Sequence, residues 1–447
     1  MLIVRKNNFV TSVVGIIVIF IAASTNSIFL LLLLFYAYAA LVIYLNNNGT
    51  LSDPRLLLVG FFTFYSTFFA IRVYITGYSV LRIDEYLVAL SLKYQLFGLV
   101  IFVVSLNFIL FSEKKVFHVD DFYLSRPRKS LSSSSEKMFF GFLIPLVFLS
   151  FYFTFQSGAN SKIEANQLNP IKVISDFIFW VLIAIAALRA IRLKAGLIKD
   201  LWLCLFTLTC FFYLIVTGER DIFFRLIFIL LVVHFDKKRN ASFLFLLSLM
   251  LSVALLVPVT QAFKAVLLSG NLSLKSFGLF SIFSNEFISA GRNFYSLVLF
   301  GVEHSAEYLG NDILRAFLPS PIAVDLGVQS TGSWFGSHYR VENDFSGSTG
   351  WGFTLIGQGY LVGGFIGIAI ISFIYALIIG TLYNYRTVSI YWYVFYLFAL
   401  ATSIYILRAD LANLLSQTLK IGGLTVFGLF IAHRIFVLWH ENKMSSV

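Results

Sequence analysis

Four ionisable side chains, Glu219, Arg220, Asp221 and Arg225, stand at the mouth and in the first turns of an apolar run that continues from Leu226 to Phe235 and breaks at Asp236-Lys237-Lys238-Arg239. Charge beside hydrocarbon costs a few kcal/mol or more, so such groups face a water-filled cavity or one another. The alternative is local: Arg225 reaches the headgroups along its stem, and the two carboxylates pair with the two arginines. A second set lies at Gly327 to Gly359, a Gly-, Ser- and Thr-rich stretch carrying Trp334, Phe335, His338, Tyr339, Arg340, Glu342, Asn343, Asp344, Trp351 and Gln358. Aromatic faces among hydroxyl, amide and carboxylate groups suit a sugar, whose apolar face stacks on a ring while its hydroxyls take directed hydrogen bonds. The same stretch also reads as an ordinary polar turn region.

The elements that must carry these residues are membrane helices. Of 447 residues, 59% are hydrophobic and 12% charged, and the mean hydropathy is +0.87, a balance foreign to soluble domains. Apolar runs of about 18 residues recur from end to end, each long enough to cross about 30 Å of hydrocarbon. The expected spans are 9–24, 28–45, 56–75, 94–111, 138–155, 171–191, 197–216, 219–235, 242–262, 360–383, 388–407 and 419–438. They describe an all-α polytopic membrane protein of about twelve transmembrane helices, within a range of roughly 11 to 13. Lys and Arg gather at 112–137, 189–199, 237–239 and near the C-terminus. Placing those segments in the cytoplasm puts both termini inside and every strongly basic short loop on one side. The formal charge of +11 is thereby explained by topology, and no nucleic-acid partner is implied. Arg5-Lys6 followed by Phe9 to Ala23 has the form of a signal anchor, with Ala22-Ala23-Ser24 as an alternative processing site. Cys204 and Cys210, six apart on one apolar run, imply neither a disulfide nor a metal site.

The chain thus divides into residues 1–262, nine transmembrane helices; 263–359, a large partly helical outer loop; and 360–447, three more helices and a cytoplasmic tail. Loops longer than about 15 residues are uncommon unless functional. Phe277 to Phe317 interleaves apolar residues with Asn285, Glu286, Arg292, Glu303, His304 and Arg315, which predicts one or two amphipathic helices on the outer membrane surface, with Ser284 or Asn285 capping one start and Pro319-Ser320-Pro321 ending the run. The glycines from Gly357 to Gly367 read as close-packing positions. No Walker loop, dinucleotide fingerprint or zinc-protease motif is present, and no ligand cluster calls for a metal or other cofactor.

The Gly218-Glu219-Arg220 turn opening a helix, the long outer loop, and the Ser348-Thr349-Gly350 approach to a glycine-rich helix resemble the Wzy-type polymerases of O-antigen and other oligosaccharide repeat units. The similarity covers mainly 197–383. It implies a GT-C-like fold in the bacterial inner membrane and an active site on the periplasmic face. The implied substrates are undecaprenyl-pyrophosphate-linked glycans, and the implied partners are the lipid bilayer and a chain-length-determinant membrane protein. The fixed arginine-to-glycine spacing of some members is not found around Arg292, Arg315 or Arg340. On this resemblance Arg220 and Arg225 hold the pyrophosphate leaving group, because a guanidinium bonds two phosphate oxygens and stays charged where water is scarce. His338 is the first choice of base for the acceptor hydroxyl, ahead of Glu303, His304 and Glu286. Glu219, Arg292, Arg315, Trp334, Arg340, Glu342 and Arg408 are expected to bind substrate, although Arg408 beside Asp410 also reads as a local ion pair. An O-antigen ligase of the same class, or a flippase for lipid-linked oligosaccharides, are the competing readings.

Overall fold

The computed structural model describes residues 2–47, 50–81, 83–110, 140–141, 143–149, 152, 170–193, 200–217, 221–238, 279–318, 320–339, 352 and 354–445. Among them all regular structure is helical. Helices α1 (Leu2–Ser24) and α2 (Ile28–Asn46) are joined by a tight turn in which the Ser27 hydroxyl accepts from the Leu30 N–H. Helix α3 (Pro54–Thr76) opens as its sequence dictates: Asp53 caps the Arg55 N–H, and Pro54 occupies a position whose N–H has no intrahelical acceptor. It closes on Gly77 at φ 94°, whose N–H bonds Val73 O. Asp84 caps α4 (Glu85–Ile109). Then come α5 (Pro170–Arg192), α6 (Leu201–Thr217), α7 (Asp221–Lys238), α8 (Leu279–Leu299), α9 (Glu307–Phe317), α10 (Leu355–Tyr385) and α11 (Ile390–Ile406). Finally α12 (Leu411–Leu415) passes through a π-helical turn, Ser416–Gly423, into α13 (Leu424–Ser445).

Six helical stretches among the described residues are long and apolar enough to cross a membrane: Lys6–Ser24, Ile28–Asn46, Pro54–Thr76, Glu85–Ile109, Leu355–Tyr385 and Leu411–Ala432. Helices α5, α6, α7 and α11 lie on four further expected spans. The expected span 242–262 and both ends of 138–155 lie outside the described residues.

Helix ends far apart in sequence meet in a buried polar layer. Arg55 donates from Nε and Nη2 to the Asp53 carboxylate at 2.9 and 2.5 Å, and from Nη1 to the Asn8 side-chain oxygen at 2.6 Å. Asn107, at the far end of α4, bonds Thr11 and the Asn8 backbone. Asp236, near the end of α7, accepts from Ser52 N at 3.0 Å and from the Tyr393 hydroxyl at 2.8 Å, while the Tyr396 hydroxyl donates to Ser52 O. Asn7 reaches Leu45 O, and Asn384 reaches Ile109 O. These contacts join the start of α1, the end of α2, the start of α3 and the ends of α4, α7 and α10, as an alternating up-and-down path requires. Close by in sequence, Arg189 and Asp200 form a bidentate pair, with a shortest distance of 2.7 Å, across the α5–α6 connection.

Helix α8 departs from the sequence expectation. It begins at Leu279, so Ser284 and Asn285 lie within it, and it packs into the bundle instead of lying on its surface. Phe287 contacts the Phe64, Tyr65 and Phe68 rings of α3 at centroid distances of 6.2, 4.8 and 5.3 Å. Gly291 leaves room for the Phe69 side chain, and Phe294 meets Tyr94 of α4 and Tyr360 of α10. Its polar residues serve the interior: Asn293 donates to Gly352 O, and Ser296 accepts from the Tyr339 hydroxyl.

Helix α10 is broken at Gly363 and Gly364. Gly364 adopts φ 57°, ψ −132°, a backbone that disfavours any side chain. The break folds the first two turns against the rest, so that a Cβ on Gly367 would fall on the Gly359 carbonyl oxygen, and one on Gly359 would strike the backbone of Ile368. The glycines thus act as the close-packing positions their spacing implies. Gly367→Val is expected to lower the melting midpoint of the purified chain by the equivalent of about 1–3 kcal/mol. Gly310→Ala on α9, where a Cβ meets nothing within 4 Å, is the matched control. Equal midpoints would remove the Gly359–Gly367 contact from the account of the fold.

Candidate functional site

Arg225 sits one turn into α7 and is buried at 6% exposure. Elements from across the chain converge on it. Nη2 donates to the Gln417 side-chain oxygen at 2.5 Å, and Nη1 to the Thr402 hydroxyl at 3.4 Å. The guanidinium lies 4.6 Å from the ring centre of Trp180 on α5. Among the described residues its one carboxylate is Asp221, one turn earlier, at 3.8 Å and itself about half exposed. The cation is therefore positioned mainly by neutral groups and a ring face, which fix its direction without cancelling its charge. Gln417 reaches it from the π turn; such wide turns re-aim side chains and recur at functional sites.

The same π turn carries Lys420, whose ammonium donates to Leu318 O at 2.7 Å just beyond the end of α9. Arg315, half-buried on the last turn of α9, is close enough to repel it. The turn thus connects Arg225 on one side with Arg315 and Lys420 on the other.

The described part of the insert between α8 and α10 is fastened to the bundle by two buried aspartates. Asp312 of α9, wholly buried, accepts from Thr331 N and the Thr331 hydroxyl, both at 2.7 Å, and from the Gln358 amide. Asp410 accepts from Gly332 N at 2.9 Å and from Asn413, capping α12. The Gln358 side-chain oxygen accepts from Leu411 N and links the two. Asp410 therefore serves the insert and its own helix cap, not an ion pair with Arg408, whose guanidinium stands 4.8 Å from the Tyr405 ring centre.

Burial, then the nearby Asp410, push the Asp312 carboxyl well above the usual carboxylate range. The folded chain holds that proton more tightly than the unfolded one, so this stabilisation is complete below the ordinary carboxyl value, about 3.9, and is lost as pH rises through the raised value. The melting midpoint is expected to fall more between pH 5 and pH 8 in the wild type than in Asp312→Asn; parallel slopes would contradict this.

Of the residues expected from the sequence, Arg220, Glu219, Arg340 and Glu342 lie outside the described residues. Arg225 bonds Gln417 of the π turn, and Arg315 lies on the last turn of α9, whose following carbonyl, Leu318 O, accepts from Lys420 of the same π turn. His338 and Trp334 fall close together, His338 within a second π-helical stretch, Phe335–Tyr339, and Trp334 just before it. The His338 ring is exposed, with Nδ1 2.8 Å from Ser337 Oγ. Trp334 is half-buried and meets the rings of Tyr308 and Tyr339 at 4.9 and 5.6 Å, so part of its surface is already used in packing. Arg292 is half-buried on α8. Sequence reasoning missed Trp180, Thr402, Gln417 and Lys420 around the cations and Asp312 in the clasp, and it placed Gln358 among the sugar-compatible polar groups, whereas its side chain bonds Asp312 and Leu411 N. Polar residues inside apolar runs were the available signal for Thr402, Gln417 and Lys420.

Cys204 and Cys210 are not joined in a disulfide, and among the described residues no three His, Cys, Asp or Glu side chains gather to hold a metal ion. Compared with family models, with curated proteins and with solved structures, the chain matches none.

Proposed function

We propose that this chain is a membrane glycosyltransferase of the GT-C kind that joins undecaprenyl-pyrophosphate-linked repeat units into an O-antigen-type polysaccharide. The observation that carries the reading is Arg225, a buried guanidinium inside an apolar helix, aimed by Gln417, Thr402 and Trp180 and only loosely paired. In the reaction, the bond between an anomeric carbon and the pyrophosphate oxygen breaks, and the lipid pyrophosphate leaves with the electron pair. An acceptor hydroxyl forms the new bond to that carbon and gives its proton to a base. Charge grows on the leaving oxygens, so a cation already oriented and poorly hydrated lowers the barrier with little reorganisation. Arg220 is the second cation of this proposal. His338, with an exposed ring, is the assigned base.

The proposal includes about twelve spans with both termini in the cytoplasm of a bacterial cell and the site at the periplasmic face of the inner membrane. The meeting of alternate helix ends in one polar layer supports that path. Purified chain in proteoliposomes supplied with lipid-linked repeat units is expected to release one undecaprenyl pyrophosphate per glycosidic bond formed, at a rate indifferent to EDTA. Bond formation without release, or abolition by EDTA, would sink the metal-independent mechanism.

A further inference from the structure

Two side chains that hold the Arg225 guanidinium, Thr402 on α11 and Gln417 on the π turn, stand on either side of a short link. Helix α11 ends at Ile406, α12 begins at Leu411, and α12 runs straight into the π turn that carries Gln417. The link, residues 407–411, is gripped by the insert and the start of α10. Leu407 O accepts from Leu355 N at 3.3 Å. Gly352 lies so close to the Arg408 carbonyl oxygen that a Cβ would fall on it, and Asn293 of α8 holds the Gly352 carbonyl at 2.6 Å. Asp410 accepts from Gly332 N at 2.9 Å, and a Cβ on Gly332 would stand 2.6 Å from the same carboxylate oxygen. Leu411 N donates to Gln358, whose amide holds Asp312, and Asp312 in turn holds Thr331. At two of these points only a residue without a side chain lets the insert backbone come so near.

Helix α12 is a single turn, and one turn of helix has too few bonds of its own to persist in isolation. Its start is fixed from outside, by the Asp410 cap and by Gln358 on the Leu411 N–H. We infer that Gly332, Asp410 and Gln358 are positioning residues for Arg225: the insert seated on the 407–411 link makes Thr402 and Gln417 converge on the guanidinium, and the insert unseated releases Gln417 from it. Asp410 is the joint of this device, because one carboxylate takes both the insert backbone and the α12 cap. The seat lies just before Trp334 and His338 on the same insert. On the transfer reading, on which this one consequence rests, an acceptor that binds the seated insert better than the unseated one also completes the cation site.

The test reads the aim of Arg225 directly. Detergent-purified full chain is treated with phenylglyoxal, which modifies guanidinium groups, and the rate at each arginine is followed by mass spectrometry of peptides. In Gly332→Ala the rate at Arg225 is expected to rise about fivefold, the worth of one buried hydrogen bond. Arg55 and Arg189, buried and held instead by Asp53 and Asp200, should keep their wild-type rates. Gly310→Ala, in the same insert but with open space at its Cβ, should leave all three arginines unchanged. A wild-type rate at Arg225 in Gly332→Ala overturns the inference, and so does an equal rise at Arg55 and Arg189, which would mean general loosening. If Gly332→Ala does not purify folded, Thr331→Val, which removes the hydroxyl held by Asp312 and keeps the backbone contacts, decides on the same comparison. No glycan enters the assay, so failure here leaves the polymerase reading standing, and failure of that reading leaves the coupling of insert to Arg225 standing.

Discussion

Replacing Arg225 by alanine is expected to leave the chain in the membrane at near wild-type abundance and to remove long glycan chains, leaving single repeat units on the acceptor. The rate should fall about 10²- to 10³-fold, the usual cost of removing one oriented group that stabilises developing charge. The fold should survive because the partners left behind are neutral, Gln417, Thr402 and Trp180, or half exposed, Asp221. Arg225→Lys should recover only part of the activity, since an ammonium keeps the charge but loses the planar fork. Glycan length on gels, with membrane abundance by immunoblot, reads both effects. Normal chain lengths in Arg225→Ala would remove the residue from the mechanism.

The second large effect concerns stability. Arg55→Met leaves the Asp53 carboxylate buried without its cation and takes a donor from Asn8, so the loss is expected to be about 3–5 kcal/mol. The purified variant should melt well below the wild type and accumulate poorly. Asp53→Asn combined with Arg55→Met should recover part of that loss, because a neutral pair carries a smaller desolvation penalty. An unchanged midpoint in the single variant would show that the polar layer does not hold the helix ends together.

These effects differ in how far the sequence announces them. Arg225 was legible because charge inside an apolar run is rare enough to stand out. Its partners were not: Thr402 and Gln417 lie 177 and 192 positions away, and only tertiary packing selects them. The spans at 28–45, 56–75 and 360–383 were legible as long apolar runs, since burial in lipid and burial in protein ask for the same side chains. Helix α8 was misplaced for that very reason. Its apolar and polar residues alternate as they would on a membrane surface, but the polar ones bond Gly352 and Tyr339 within the protein. One helix's amphipathicity does not tell an aqueous face from a polar protein interface.

The clasp shows the same limit. Asp410 lies two residues from Arg408, and proximity in sequence left a local pair open beside substrate binding; the insert instead brings Gly332 N to its carboxylate. Nothing local in the sequence signals that Thr331 and Gln358 enclose Asp312.

The most direct measurement is a gel of surface lipopolysaccharide from a strain lacking this chain. Core bearing a single repeat unit is the expected result, because unit assembly, flipping and ligation would survive and polymerisation alone would be lost. An unchanged ladder, or bare core with lipid-linked glycan accumulating on either face of the membrane, would contradict the assignment.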